Sequence, residues 1–141
     1  MGIKFPSAEW TAAFKDAINA NDGYATHGAG WTHGKVAYVV RARPELGIER
    51  DTAMILDLHE GECRSAEMID GEGAEDAAEF VIYADFERWR EVLSGEVDPT
   101  KAMMQNKLKL EKGHLPTIVK FVLASKQLVL SATNIDTDYP A

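Results

Sequence analysis

The stretch Ser94–Gly113, SGEVDPTKAMMQNKLKLEKG, decides the fold, because it packs a helix stop, a helix start and a strand into one short span. Ser94-Gly95 ends one helix, since glycine accepts the left-handed conformation just past a helix C-terminus. Asp98-Pro99 begins the next: the carboxylate caps free amide groups, and proline fits the first helical position. This second helix is short and carries Ala102, Met103 and Met104. Lys107-Leu108-Lys109-Leu110-Glu111 then alternates with period two, the pattern of a strand with one dry and one wet face. No catalytic signature accompanies these residues. Flexible apolar side chains beside a sheet point to holding a greasy molecule.

Upstream, Ser7 caps a first helix that runs to about Asn21, with Trp10, Ala13, Phe14, Ala17 and Ile18 on one apolar stripe. Asn21-Asp22-Gly23 has turn chemistry, and residues 23–34, rich in Gly and His, read as a loop. Three strands are expected next. Lys35–Arg43 puts Val36, Tyr38, Val40 and Ala42 on one side, and Asp51–His59 puts Thr52, Met54, Leu56 and Leu58 on one side. Glu60-Gly61 makes a hairpin turn into a more polar strand over Glu62–Ile69. Asp70–Glu79 is acidic and reads as a solvated loop, and Phe80, Ile82 and Ala84 mark a fourth strand. Asp85–Leu93 is a helix with Phe86, Trp89, Val92 and Leu93 at helical spacing. His114 to about Ala132 reads as one closing helix, with Pro116 tolerated in its first turn. Its apolar surface is wider than a single stripe, so it must cover a neighbouring helix, a second subunit or a ligand as well as a sheet.

The chain has 141 residues, 45% of them hydrophobic, with no internal repeat, which fits one domain of ordinary globular composition. A formal charge of −8 makes duplex nucleic acid and anionic membrane surfaces poor partners. With the single cysteine, Cys63, neither an intramolecular disulfide nor a cysteine-based zinc site can form. The polar N-terminal stretch does not read as a signal peptide, no apolar run is long enough for a membrane span, and the expected compartment is a reducing cytoplasm.

The order of elements and the segment Glu79–Ala84, Trp89, Ser94-Gly95-Glu96, Asp98-Pro99, Ala102-Met103 and Lys107-Leu108-Lys109-Leu110 through Gly113 resembles the sterol carrier protein type-two family. The likeness spans about residues 35–130 and is most specific over residues 78–113. It implies an α+β fold: a five-stranded, mainly antiparallel sheet with helices on one face and an apolar tunnel between them. It also implies binding of sterols, fatty acids, fatty acyl-CoA or similar lipids without catalysis. Residues 1–34 then supply an N-terminal helix and loop and residues 35–132 the core of a single domain. Two positions depart from the family pattern. Asn106 stands where glycine precedes Lys-Leu-Lys, and asparagine is the best substitute at positive φ. His114 stands where an acidic or amide residue is usual, which alters the cap of the closing helix.

Other chemistry is weakly signalled. His27, His33, His59 and His114 meet no zinc spacing, so no metal is expected. Asp57 and His59 share a strand face opposite Met54, Leu56 and Leu58, the solvent side, where an acid–base pair has no pocket to serve. Cys63 has no activating neighbour in the sequence, and Gly28-Ala29-Gly30 fits neither phosphate-loop spacing. No cofactor is called for.

The expected ligand-binding set is therefore apolar. Met54, Leu56, Phe80 and Ile82 come from the strands, with Trp89, Leu93, Met103 and Met104 as flank. Leu108 and Leu110 continue the floor, and Ile118, Phe121 and Val122 form the lid. The expected function is binding, and transfer, of a hydrophobic small molecule, with transient membrane contact and a homodimer left open. The alternatives are a homodimeric interaction protein built on the wide apolar helix, or an enzyme acting on an apolar thioester or sterol. The latter needs an inward polar pair that the strand registers do not supply.

Overall fold

The computed structural model describes residues 2–140. Helix α1 (Ala8–Asn19) starts at Ser7, whose side chain accepts from the Trp10 amide, and it buries Trp10, Phe14 and Ile18. Burying that stripe against the sheet, not helix propensity, is what makes so short a helix stable. The short strands β1 (Ile3–Lys4) and β7 (Thr137–Asp138) pair in parallel, tying the two ends of the chain together.

The main sheet contains β2 (Val36–Val40), β3 (Thr52–His59), β4 (Glu62–Asp70), β5 (Phe80–Ala84) and β6 (Lys109–Lys112) in the order β4-β3-β2-β5-β6. Three pairings are antiparallel, and the central β2–β5 pairing is parallel, so the sheet is mixed. Glu60 and Gly61 both have positive φ, as a two-residue hairpin between β3 and β4 requires.

Side chains alternate as the sequence predicts. Val36, Tyr38, Val40, Met54, Leu56, Leu58, Phe80, Ile82 and Ala84 all join the large core on one face. The opposite face is also dry at its centre, where Ala37, Val39, Ala53, Ile55 and Val81 cluster with Ala74 and Ala78. Here the acidic segment expected as a loop folds into a helical turn and the short helix α3 (Ala74–Ala77), whose alanines cover the sheet. Its charged residues conceal the two small apolar contacts, and helices are not confined to one face.

A second correction concerns residues 23–34. Asn21 accepts from the Gly23 and Tyr24 amides, which starts helix α2 (Asp22–His27) and buries Tyr24. The Asn21 amide group also donates to Gln127 O and Ser131 Oγ at 3.1 and 3.0 Å, fastening α2 to the C-terminal helix.

Helix α4 (Phe86–Leu93) ends at Ser94, and Gly95 takes the expected positive φ of 86°. Helix α5 (Pro99–Met104) is capped by Asp98, whose Oδ1 accepts from the Thr100 and Lys101 amides at 2.9 and 3.2 Å. Asp98 also pairs with Lys126 at 3.5 Å, joining α5 to the C-terminal helix. Replacing Asp98 with alanine should cost about 1 kcal/mol, read as a lower urea midpoint at unchanged slope. Asn106 adopts φ 60°, so asparagine serves the glycine-like turn into β6.

The closing helix is two helices, α6 (Leu115–Lys120) and α7 (Val122–Thr133), broken at Phe121 with φ −102° and ψ 34°. The break falls among Ile118, Val119 and Val122, β-branched residues whose restricted side-chain rotation weakens helical continuity. Helix α7 touches α1, α2, α4 and α5, which accounts for much of its wide apolar surface.

Candidate functional site

Between the sheet and the helices lies an apolar crevice. Val36 and Tyr38 of β2, Leu58 of β3 and Ile82 of β5 form its floor. Tyr24, Trp31, Trp89, Val92, Pro99, Met103 and Leu108 make the flanks, and Ile118, Phe121, Ala124, Ser125 and Leu128 make the roof. Of these lining residues, only Phe121 and Ser125 are half-buried while the others are buried, so the mouth opens where α6 meets α7. There Phe121 stands edge-on to Trp31 at 5.1 Å and faces the exposed His33 ring at 5.6 Å. The deep end is braced by Trp89, which stacks on Tyr38 at 4.7 Å and donates its indole N–H to Val39 O at 2.8 Å.

Free space inside is small, about 30 Å³. That is roughly the share of one water molecule in the liquid, far short of the ~300–1,000 Å³ of occupied small-molecule pockets. The lining is not sealed by regular structure on its roof side, since α6 and α7 are separated by the irregular turn at Phe121.

The sequence-predicted residues divide by geometry. Ile82, Trp89, Met103, Leu108, Ile118 and Phe121 line the crevice. Met54 and Leu56 share its sheet face but lie in the solid core, on the side of the sheet where α1 packs against β4. Phe80 packs against Trp31, with ring centroids 5.1 Å apart, and Leu93 is buried outside the lining. Leu110 and Val122 are half-buried beside the lining residues without joining them. Met104 is 66% exposed, which corrects its placement as a flank residue. Successive helical residues point about 100° apart, and here Met103 turns inward while Met104 turns to water.

Tyr24, Trp31, Tyr38 and Leu58 were not among the expected ligand contacts. Tyr38 and Leu58 lie on the strand faces that periodicity identifies, but which part of a face a helix leaves uncovered depends on tertiary packing. Trp31 sits in a glycine-rich stretch with no period to place it.

The polar candidates lie elsewhere. Asp57 is paired with Arg64 at 3.0 Å on the far side of the sheet from Leu58. Cys63 is buried, and its backbone exchanges hydrogen bonds with the Asn19 side chain at 2.8 and 2.9 Å. Burial pushes its thiol up to about 11, which leaves almost no thiolate near neutrality. Among the described residues no group of three His, Cys, Asp or Glu side chains could hold a metal ion, and no helix is long and apolar enough to cross a membrane.

A mixed sheet under helices, with an oily crevice between, defines an α+β class of fold. The chain belongs to the SCP-2 sterol transfer family, whose model matches residues 18–121. The crystal structure of a sterol carrier protein 2 superposes with a TM-score of 0.85 at 33% identity, over 92% of this chain and 97% of that one. A conserved hypothetical protein of Thermus thermophilus, described as possibly a sterol carrier protein, gives 0.87 at 31% identity, over 97% and 95%. The apo form of sterol carrier protein 2 from Yarrowia lipolytica shares the fold at 15% identity, with a TM-score of 0.54 over 86% and 88%. No curated protein matches the chain.

Proposed function

We propose that this chain is a single-domain carrier that binds one apolar small molecule, of lipid character, between β2, β3 and β5 below and α5–α7 above. The observation that carries this reading is the crevice lining, which combines aliphatic and aromatic side chains with three hydroxyl groups and no charged group. Membership in a sterol transfer family supports it. Burying each methylene group contributes about 0.8 kcal/mol, so a chain of about a dozen carbons outweighs the several kcal/mol of association and ordering costs.

Because the resting crevice is nearly closed, the guest enters by displacing part of the wall. The strands are fixed on both sides by their neighbours, so the roof is the part that gives. The turn at Phe121 lets α6 and the start of α7 lift, and Met103, unbranched and flexible, adapts its shape to the guest. No catalytic step is assigned to the crevice, since its hydroxyls have no carboxylate, imidazole or lysine beside them in the lining. Titration with an uncharged, environment-sensitive fluorophore such as diphenylhexatriene should saturate at one per chain. Fluorescence that rises without saturating, as in bulk partition onto the surface, contradicts the reading.

One observation favours a second, compatible role. Leu115 and Val119 of α6 and Leu123 and Leu130 of α7 are exposed, Leu130 at 50%. These apolar side chains support self-association or brief contact with a lipid surface, and light scattering after size exclusion decides whether two copies meet.

A further inference from the structure

The crevice has a polar end whose hydrogen bonds the protein leaves unmade. Tyr24 from α2 and Tyr38 from β2 both line it, and they are only 1% and 7% exposed. Among the described residues neither phenol oxygen has a hydrogen-bond partner; the Tyr24 bond to the Asn21 side chain uses the backbone amide. A buried tyrosine ordinarily finds its hydroxyl a partner. Thr100 Oγ1 is the side-chain oxygen that, among the described residues, has neither partner nor open surface. The two phenol oxygens are not sealed in that way: they keep open surface, and both residues border the crevice, where a guest can meet them.

Burial raises the pKa of both phenols, and at Tyr24 the neighbouring Tyr38 adds to the rise. They therefore stay protonated and able to donate at neutral and mildly alkaline pH. The lining offers no Lys, Arg or His to balance an anion. An ionised carboxylate or phosphate drawn to this end would lose its water and gain no counter-charge, which is strongly unfavourable. A neutral acceptor loses far less and gives the phenols a partner within the protein.

We propose that Tyr24 and Tyr38 form the recognition end of the crevice, selecting guests whose inserted end is a neutral hydrogen-bond acceptor, an alcohol, ketone or ester, over ionised acids. Anionic heads are left at the mouth beside Phe121 and Ser125, which holds part of the tail outside and weakens their binding. This selection rests on the binding role proposed above, and its test separates the two.

Diphenylhexatriene bound to the chain is displaced at pH 8 by dodecane, dodecan-1-ol, methyl dodecanoate or dodecanoate, in the parent chain and in Tyr24→Phe and Tyr38→Phe variants. The alcohol and ester should require roughly 3- to 10-fold more ligand in either variant, the scale of one lost hydrogen bond. Dodecane should be unaffected by the same changes. Dodecanoate should displace least well and be indifferent to both variants. Phenylalanine preserves the ring packing, and the dodecane curve doubles as a check that each variant keeps its crevice. If Tyr24→Phe does not fold, Tyr38→Phe decides the matter alone. Equal weakening of alcohol and alkane, or no weakening of either, overturns the recognition end. Dodecanoate displacing as well as the alcohol overturns the selection against acids. Failure of the fluorophore to bind the parent chain overturns the binding role itself, whatever the variants do.

Discussion

A Met103→Glu variant should take up an apolar fluorophore roughly 100-fold more weakly than the parent chain while its far-ultraviolet dichroism stays native. The scale follows from an uncompensated carboxylate costing several kcal/mol in an apolar site, with each ~1.4 kcal/mol worth tenfold. Met103 is buried and lines the crevice, where no cationic side chain waits for the new charge. Its backbone sits near the end of a short helix held at its start by Asp98, so the fold tolerates the change better than the cavity does. Met104→Glu is the matched control. Its side chain already lies in water, and uptake should be unchanged. If Met103→Glu binds the fluorophore as well as the parent, Met103 is not part of the binding surface.

A Trp89→Ala variant should lose roughly 3–5 kcal/mol of unfolding free energy, measured by urea denaturation with both chains free of guest. Trp89 is almost fully buried, stacks on Tyr38 and donates to the Val39 carbonyl. Alanine removes the ring, deprives that carbonyl of a donor and leaves a void next to a crevice already present. The flanking helix α4 is short, so nothing nearby can collapse into the space cheaply. A loss below about 1 kcal/mol would mean that α4 is not anchored through this residue.

Both effects depend on features of different legibility. The helix stop at Gly95, the Asp98 cap and the positive φ at Asn106 are local, and the sequence states each through residue chemistry alone. Strand faces are equally plain, because period-two alternation survives wherever one face meets the core. Three features depend on packing that periodicity does not encode. Helix α2 begins at an asparagine whose side chain caps it while also gripping α7, a long-range tie hidden in a glycine-rich stretch. Helix α3 buries only alanines, so its acidic residues dominate the pattern. The break at Phe121 occurs inside continuous helical periodicity, where β-branched crowding competes with propensity and wins.

The site was legible only as far as its faces. Six of the residues expected to touch a guest do line the crevice, because they lie on apolar faces directed to the space between sheet and roof. Met54 and Leu56 share such a face and still miss it, since the part of the sheet they occupy is covered solidly. Tyr24 and Tyr38 line the crevice without a sequence signal to mark them, because a tyrosine among core residues has the same pattern as packing.

Native mass spectrometry of the chain mixed with dodecan-1-ol is the most direct test of whether an apolar guest occupies the crevice. The chain should carry the added mass of one alcohol molecule, and Met103→Glu should carry none under the same conditions. Only the bare mass of the parent chain at every alcohol concentration would contradict the account.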